Sequence, residues 1–440
     1  MTTRNTSHYQ DFTNLDQWLY YLENLHSSEI DMGLSRISQV ASRLAIDLSF
    51  AKIITVAGTN GKGTTCAFIE NALFSDFVSN SKKNVAVYSS PHIDCFNERL
   101  RINKKNIADQ PLIDAFKQIE IARQDTSLTY YEYTTLAAFL VLMTEKPDVI
   151  ILEVGLGGRL DATNIIDADI AVITTVDLDH QSFLGDNREA IGFEKAGIMR
   201  RNQDIVIGDV NTPKSVLAHA VDLDAEQNNQ LSIRNREFTI NTIDVIHSVW
   251  HWQSKSLILE NLNAPLIPLD NVATALMVLS KLKLPLSTPF VNHVIKNTQV
   301  VGRTELVKQT KQCDVVLDVG HNPQATRYLS SYIKRMKAEF NYQRIYAVVA
   351  MLADKDITAS LSSLTDDIDY WYTGPLAESR AASKQQMYNS LINITDTVNC
   401  FDNINEAFKM ASKQAKTTDL ILVFGSFYTV SQIRTELIKI

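Results

Sequence analysis

The stretch Val56-Ala57-Gly58-Thr59-Asn60-Gly61-Lys62-Gly63-Thr64-Thr65 constrains this chain more than any other. It follows the apolar run Ile53-Ile54-Thr55 and leads into a helical pattern through Leu73, so it reads as a strand, a glycine-rich turn and a helix start. Glycines let the backbone turn tightly and approach a ligand. The N–H groups at a helix start lack intrahelical partners and sit at the positive end of the helix dipole. Phosphate fits such a place. Lys62 offers a point charge to the outer phosphates, and the hydroxyl of Thr64 or Thr65 is placed to reach a magnesium ion. The strict Gly-x-x-x-x-Gly-Lys-Ser/Thr spacing is not met, because Val56 stands five residues before Gly61 and Gly63 separates Lys62 from Thr64. Taken alone, this variant leaves kinase, motor ATPase and ligase open.

The rest of the pattern is α/β. Asn84–Tyr88, Asp148–Gly155 and Asp169–Val176 read as strands apolar on both faces, as central parallel strands are. They lead into Ser89-Ser90-Pro91-His92, into Glu153 and Gly157-Gly158-Arg159, and into Asp177-Leu178-Asp179-His180. Ligands of doubly wound sheets bind at strand carboxyl ends, so Ser90, Glu153 and His180 beside a phosphate loop suggest a metal and phosphate site. Residues 12–25 read as an amphipathic helix. Asp31–Arg36 reads as a turn, and the three tyrosines of Leu128–Tyr133 stand ahead of an apolar helix from Thr134 to Met143. Asn97–Asn103 is a basic segment that either faces an anion or is a solvated edge strand. Lys195, in the small-residue helix Phe193–Ile198, reads by itself as a surface lysine. Residues 204–270 alternate short strands with polar turns and read as the edge of the first domain. Asp270 or Asn271 then caps a helix.

At 440 residues the chain is too long for one ordinary core, so two domains are expected, 1–299 and 300–440. The second begins again with the strand Asp314–Val319, which ends in Gly320-His321-Asn322-Pro323. Further strands follow at Arg344–Val349, Ile368–Tyr372 and Leu420–Phe424. A net charge of −8 argues against a nucleic-acid or membrane-surface binder, since those need a basic footprint. Four cysteines lie far apart without a C-x-x-C pair, which disfavours a zinc site or a disulfide framework and fits a reducing cytoplasm. The polar N-terminus Met1–His8 lacks a signal-peptide core, and no apolar run is long enough to span a bilayer.

The six motifs Gly58–Thr64, Ser89–His92, Leu152–Asp161, Leu178–His180, Glu194–Ile198 and Asp318–Pro323 together resemble the folylpolyglutamate synthase family of the Mur ligases, most closely its bacterial bifunctional dihydrofolate synthase/folylpolyglutamate synthase branch. The likeness runs from about residue 15 to Gly425-Ser426-Phe427. It implies a P-loop ATPase-like parallel-sheet domain followed by a smaller Rossmann-like α/β domain, the Mur ligase architecture. It also implies an ATP-dependent amide ligase that phosphorylates a carboxylate and lets L-glutamate attack the acyl phosphate. Substrates would be 7,8-dihydropteroate and reduced folates. The enzyme would be a cytoplasmic monomer. By the same resemblance, Gly58, Thr59, Asn60, Gly61, Lys62, Gly63 and Thr64 would hold the phosphates, and Asn271, Arg303 and Asp318 the rest of ATP. Thr64, Ser90, Glu153, His180 and Lys195 would meet two magnesium ions. Magnesium prefers oxygen ligands, so an imidazole in the set would also fit manganese. Lys195 matches a lysine that becomes a carbamate, which needs a buried, neutral amine and reverses its surface reading. Lys62, Lys195 and His321 would be catalytic. The pterin would meet Asp31, Gly33, Leu34, Leu128, Thr129, Tyr130, Tyr131 and Arg159. Tyr131 stands where phenylalanine is common, and Glu378-Ser379-Arg380 where a Gly-Pro-Arg type sequence is familiar. A monofunctional folylpolyglutamate synthase and a P-loop ATPase without ligase chemistry are the competing readings.

Overall fold

The computed structural model describes residues 12–28, 30–77, 83–244, 249–309 and 312–438; the polar stretch Met1–His8 lies outside them. Among the described residues the strands form three sheets. The largest has eight strands in the order Lys105–Asn106, Leu100–Ile102, Val85–Tyr88, Val149–Glu153, Lys52–Ala57, Ile170–Ile173, Asp204–Ile207 and Leu231–Ile233. The first two pair antiparallel and the rest are parallel. Side chains alternate across a strand, so each central strand feeds two cores. Val149 and Ile151 join the core beneath the helices Lys62–Leu73 and Leu269–Lys281, while Ile150 and Leu152 join the one beneath Asp109–Arg123 and Tyr130–Glu145. Both faces of the strand are therefore dry, which is why it reads as an unbroken apolar run.

Lys52–Ala57 lies between Val149–Glu153 and Ile170–Ile173, with Val56 opposite both Glu153 and Val172. The chain reaches these neighbours only after Val85–Tyr88, so a crevice opens beside the carboxyl end of Lys52–Ala57. The glycine-rich loop, Ser90 and Glu153 gather around it.

A six-stranded sheet takes all its strands from residues 305–424, in the order Glu305–Val307, Asp314–Asp318, Leu420–Phe424, Ile345–Val349, Tyr370–Thr373 and Val398–Cys400. Only the edge strand Glu305–Val307 runs antiparallel. Ile345, Ala347 and Val349 face one core, and Tyr346 and Val348 the other. Together the two mainly parallel sheets give the expected α/β fold class.

Three local expectations change. The helix expected from Thr134 starts at Tyr130, because Thr129 and Glu132 form a reciprocal cap, and Tyr133 is fully buried inside it. Residues 204–270 do more than extend the sheet edge. Phe238–Asp244, Val249–Ser254 and Ile258–Asn263 form a separate antiparallel sheet, whose Trp252 indole donates to the carbonyl of Ala273 at 3.1 Å. Neither Asp270 nor Asn271 caps Leu269–Lys281; Pro268 holds that position, and Asn271 is buried within the first turn. No described helix is long and apolar enough to cross a membrane. All four cysteines are free thiols.

Candidate active site

The helix Lys62–Leu73 begins at Gly61, whose φ of 86° lies in the left-handed region that favours glycine. A Cβ there would lie 2.4 Å from Asn271 Oδ1, so the loop and the helix Leu269–Lys281 meet at bare backbone. Asn271 Nδ2 donates to Thr64 Oγ1 at 2.8 Å, and that hydroxyl donates to the Gly61 carbonyl at 3.0 Å. Asn271 thus reaches the glycine-rich loop from inside its helix, three residues past the cap at Pro268, where the cap expectation did not place it. Lys62 Nζ turns back onto its own loop and donates to the carbonyls of Gly58 at 2.8 Å and Thr59 at 3.3 Å. It is half-buried, and desolvation lowers its pKa against the pull of Glu153 and Asp179. A ligand anion near the loop would relieve that cost.

Beside the loop stand the other residues expected at a metal. Burial raises the pKa of the Glu153 carboxyl, and Lys62, Arg303 and Arg101 only partly oppose it. His180 sits at a φ of 49°, and burial lowers its imidazole to about 4, so it is neutral at pH 7 with a lone pair available. Lys195 is 3% exposed, and burial, reinforced by the charge of Lys62, lowers its amine to about 7. Its surface reading is therefore wrong: the helix Arg188–Ala196 turns it inward. Among the described residues no three His, Cys, Asp or Glu side chains gather as a metal cluster. The donors here are instead one carboxylate, one imidazole, two hydroxyls and an amine. A buried carboxylate with incomplete charge compensation, a neutral imidazole and nearby hydroxyls fit a divalent cation, and the imidazole suits manganese as well as magnesium.

The second sheet closes the cleft. Arg303, half-buried, lies 4.8 Å above the ring of Phe427, and desolvation lowers its pKa against Asp318 and Glu153. Burial raises the Asp318 carboxyl, which accepts the N–H groups of Thr304 and Gly320, each at 2.7 Å. His321 Nδ1 lies 2.9 Å from the Val319 carbonyl, and Nε2 lies 3.4 Å from Asp179. Residues 58–64, Ser90, Glu153, His180, Lys195, Asn271, Arg303, Asp318 and His321 all line one cavity of about 290 Å3.

The residues expected around the pterin do not line that cavity. Asp31 pairs with Arg36 at 2.7 Å, and Leu34 opens the helix Ser35–Arg43. A Cβ on Gly33 would meet nothing within 4 Å. Leu128 is fully buried, and Thr129 Oγ1 accepts the Glu132 N–H at 3.2 Å. Tyr130 packs under the Arg99 guanidinium at 5.3 Å, while Tyr131 stacks on Tyr88 at 6.3 Å. Arg159 binds Glu194 at 2.8 Å, and Arg380 donates to Asp354 at 3.3 Å. The basic segment is not an edge strand: it starts as the short helical turn Phe96–Arg99, Leu100–Ile102 then pairs on both sides, with Val85–Tyr88 and Lys105–Asn106, and Arg101 is paired to Glu70 at 3.1 Å. Two of these groups do border the cavity. A Cβ on the lining residue Gly157 would lie 3.7 Å from Met32 Cε, and one on Gly155 would lie 2.8 Å from the Tyr131 ring.

Sequence reasoning missed the pairs that cross the cleft. Lys355 Nζ, on a side chain 6% exposed, lies 2.7 Å from Asp179 Oδ1. Burial works against the Asp179 carboxylate, but the hydrogen bond and charge of His321, with Lys355, hold it well below the usual range. Asn322 Nδ2 donates to Asp179 at 3.0 Å and to Asn60 Oδ1 at 3.1 Å, and Asn60 Nδ2 donates to Gln324 at 2.6 Å. A signal for Lys355 was present: Asp354-Lys355-Asp356 follows a buried strand at its carboxyl end.

The family profile "Mur ligase middle domain" matches residues 56–280, and "Mur ligase, glutamate ligase domain" matches 302–427. The chain is 42% identical over 419 residues to the dihydrofolate synthase/folylpolyglutamate synthase of Escherichia coli (strain K12), covering 95% of this chain and 94% of that protein. Its fold is similar to that of E. coli FolC in complex with DHPP and ADP, with a TM-score of 0.88, 40% identity and coverage of 97% and 98% of the two chains. A bifunctional folylpolyglutamate synthase/dihydrofolate synthase with Mn, AMPPNP and L-glutamate bound gives 0.86 at 41% identity, again covering 97% and 98%.

Proposed function

The chain belongs to the dihydrofolate synthase/folylpolyglutamate synthase family of Mur ligases, and we propose that its cleft adds L-glutamate to 7,8-dihydropteroate and further glutamates to reduced folates. It is an ATP-dependent glutamate ligase of folate metabolism. The carboxylate oxygen of the pterin substrate attacks the γ-phosphorus, a P–O bond forms and the bond to ADP breaks. The glutamate nitrogen then attacks the acyl carbon, forms the amide, loses a proton and releases phosphate. Each step builds charge on phosphoryl or acyl oxygens, so preorganised cations and N–H donors carry the catalysis.

Lys62 leaves the carbonyls of Gly58 and Thr59 for the β- and γ-phosphates, and the N–H groups of residues 58–64 hold the same oxygens. Arg303 adds charge from the opposite wall, and Asp318 takes the ribose. Asn271 sets the Thr64 hydroxyl and borders the nucleotide. Thr64, Ser90, Glu153, His180 and a carbamylated Lys195 would hold Mg2+ or Mn2+, which supplies Lewis-acid stabilisation of phosphate charge. His321, with its ring nitrogens facing the Val319 carbonyl and Asp179, orients the acyl end of the reaction. The pterin would enter past Met32, Gly157 and Tyr131, with the groups from Asp31 to Leu34, Leu128 to Tyr131 and Arg159 shaping that side. Residues 1–299 and 300–440 would be the two closing units of a cytoplasmic monomer.

The observation that carries this reading is the facing of the glycine-rich loop and Glu153 by Arg303, Asp318 and His321 across one cavity. It is tested with a heavy-oxygen label in the dihydropteroate carboxylate. Transfer of one labelled oxygen to the released phosphate is expected. Retention of all label in the pterin product would exclude the acyl phosphate.

A further inference from the structure

The loop that carries Ser90 does not stay with its own sheet. After Pro91 and His92 it sends Ile93 into a core of the second sheet, among Val315, Val319 and Val430. Its backbone is fixed there by Glu98, whose carboxylate accepts the N–H groups of Ile93 at 2.8 Å and of Asp94 and Cys95 at 3.0 Å. Asp94 then pairs with Arg434 of the helix Phe427–Ile438. Arg434 Nε also faces both carboxylate oxygens of Glu305, at 3.2 and 3.3 Å. Glu305 Oε2 accepts the N–H of Gly302 at 2.8 Å, and Gly302 immediately precedes Arg303.

Gly302 is the point where these parts meet. Its φ is 63°, and a Cβ on it would lie 2.6 Å from Ile93 Cδ1, 3.1 Å from Val430 and 3.2 Å from Val319. Arg434 therefore touches two short chains of contact. One runs through Asp94 and Ile93 back to Ser90, and the other through Glu305 and Gly302 to Arg303. Arg434 itself does not line the cavity, and its side chain is only 16% exposed. An exposed ion pair holding down a helix would contribute little. A guanidinium with one carboxylate on each side of the domain joint instead fixes the geometry of both.

We infer that Arg434 is a positioning residue, which sets the Ser90 loop and Arg303 relative to one another so that both walls of the cleft grip the same nucleotide. The inference rests on the ligase reading for the meaning of Ser90 and Arg303, but it concerns a residue outside the reacting groups. Losing Arg434 frees the Asp94 loop from Glu305. The nucleotide must then bring the two walls together itself, and part of its binding energy is spent on that alignment.

The test uses the full chain and its Arg434→Ala, Arg434→Lys and Asp94→Asn variants. Equilibrium affinity for ADP, KM for ATP, KM for dihydropteroate and the thermal midpoint are measured for each. Arg434→Ala is expected to weaken ADP and to raise KM for ATP about tenfold, a coupling of ordinary size. KM for dihydropteroate should stay within about twofold of the parent. Arg434→Lys, which reaches only one carboxylate at a time, should recover part of the loss. Asp94→Asn should show a smaller effect of the same kind and should add little to Arg434→Ala. A folded Arg434→Ala chain with unchanged ADP affinity would overturn the inference, as would an equal rise in both KM values with a lowered midpoint. If Arg434→Ala does not fold, the ADP affinity of Asp94→Asn decides. ADP binding needs no turnover, so a parent chain that binds ADP but makes no amide counts against the ligase reading and leaves this comparison intact.

Discussion

Lys195 lies on a helix of small residues, where its type alone suggests solvent, yet the helix points it at Lys62 and Glu153 stands in the same cavity. Burial lowers its amine from 10.5 to about 7. Carbamate formation requires the neutral amine, which is present above that value and lost below it. Ligation should therefore fall as pH drops through about 7, and added bicarbonate should restore part of it; a rate independent of bicarbonate throughout would refute the carbamate. Linkage gives a second sign. Between about 7 and 10.5 the unfolded chain binds a proton at Lys195 that the folded chain does not, so stability rises with pH across that window. Lys195→Met removes the buried amine. It should raise the thermal midpoint at pH 7 while abolishing ligation, which calorimetry and a product assay check together. Glu153→Gln follows the same logic, because burial raises that carboxyl. The variant should fold at least as well as the parent and lose its metal-dependent turnover.

At the scale of elements, the strand, glycine-rich turn and helix at residues 52–73 were legible because each depends on local chemistry: an apolar run, a left-handed Gly61 and a helix start. Glu153 was legible for a related reason, since a charge at the end of a wholly apolar strand has little packing use. The start of Tyr130–Glu145 was placed at Thr134 because the apolar run begins there, whereas the reciprocal cap of Thr129 and Glu132 already starts the helix at Tyr130. The antiparallel sheet at residues 238–263 was hidden because its short strands look the same whether they extend one sheet or begin another. The loop itself offers a test. Gly61→Ala would place a methyl carbon against the Asn271 amide at a φ that costs about 1–2 kcal/mol for an L-residue. The chain should fold but bind ADP at least tenfold more weakly, by titration; undiminished affinity would mean that the loop does not hold phosphate in this conformation.

At the scale of the whole molecule, the site exists only when the two sheets face each other, and here sequence reading ran out. Polar residues at strand ends can be read along one strand. The contacts of Asn60 with Asn322 and of Asp179 with Lys355 join positions 262 and 176 residues apart. No local pattern states such pairings. Lys355→Met would strip a buried carboxylate of its close cation, and breaking such a pair typically costs about 3–5 kcal/mol. The chain should relieve that cost by opening the cleft. Small-angle scattering should show a larger radius, and ligation should fall more than a hundredfold while the isolated sheets keep their circular dichroism; an unchanged radius and rate would show that this pair does not hold the cleft shut. We propose that this cleft activates a pterin carboxylate and joins it to glutamate. The chain is incubated with ATP, a divalent cation, L-glutamate and 7,8-dihydropteroate, each omitted in turn, and the pterin product is weighed. A gain of one glutamyl residue with one phosphate released per amide, and neither when any component is absent, is the predicted result. Phosphate released at the same rate without glutamate, with the pterin mass unchanged, would contradict it.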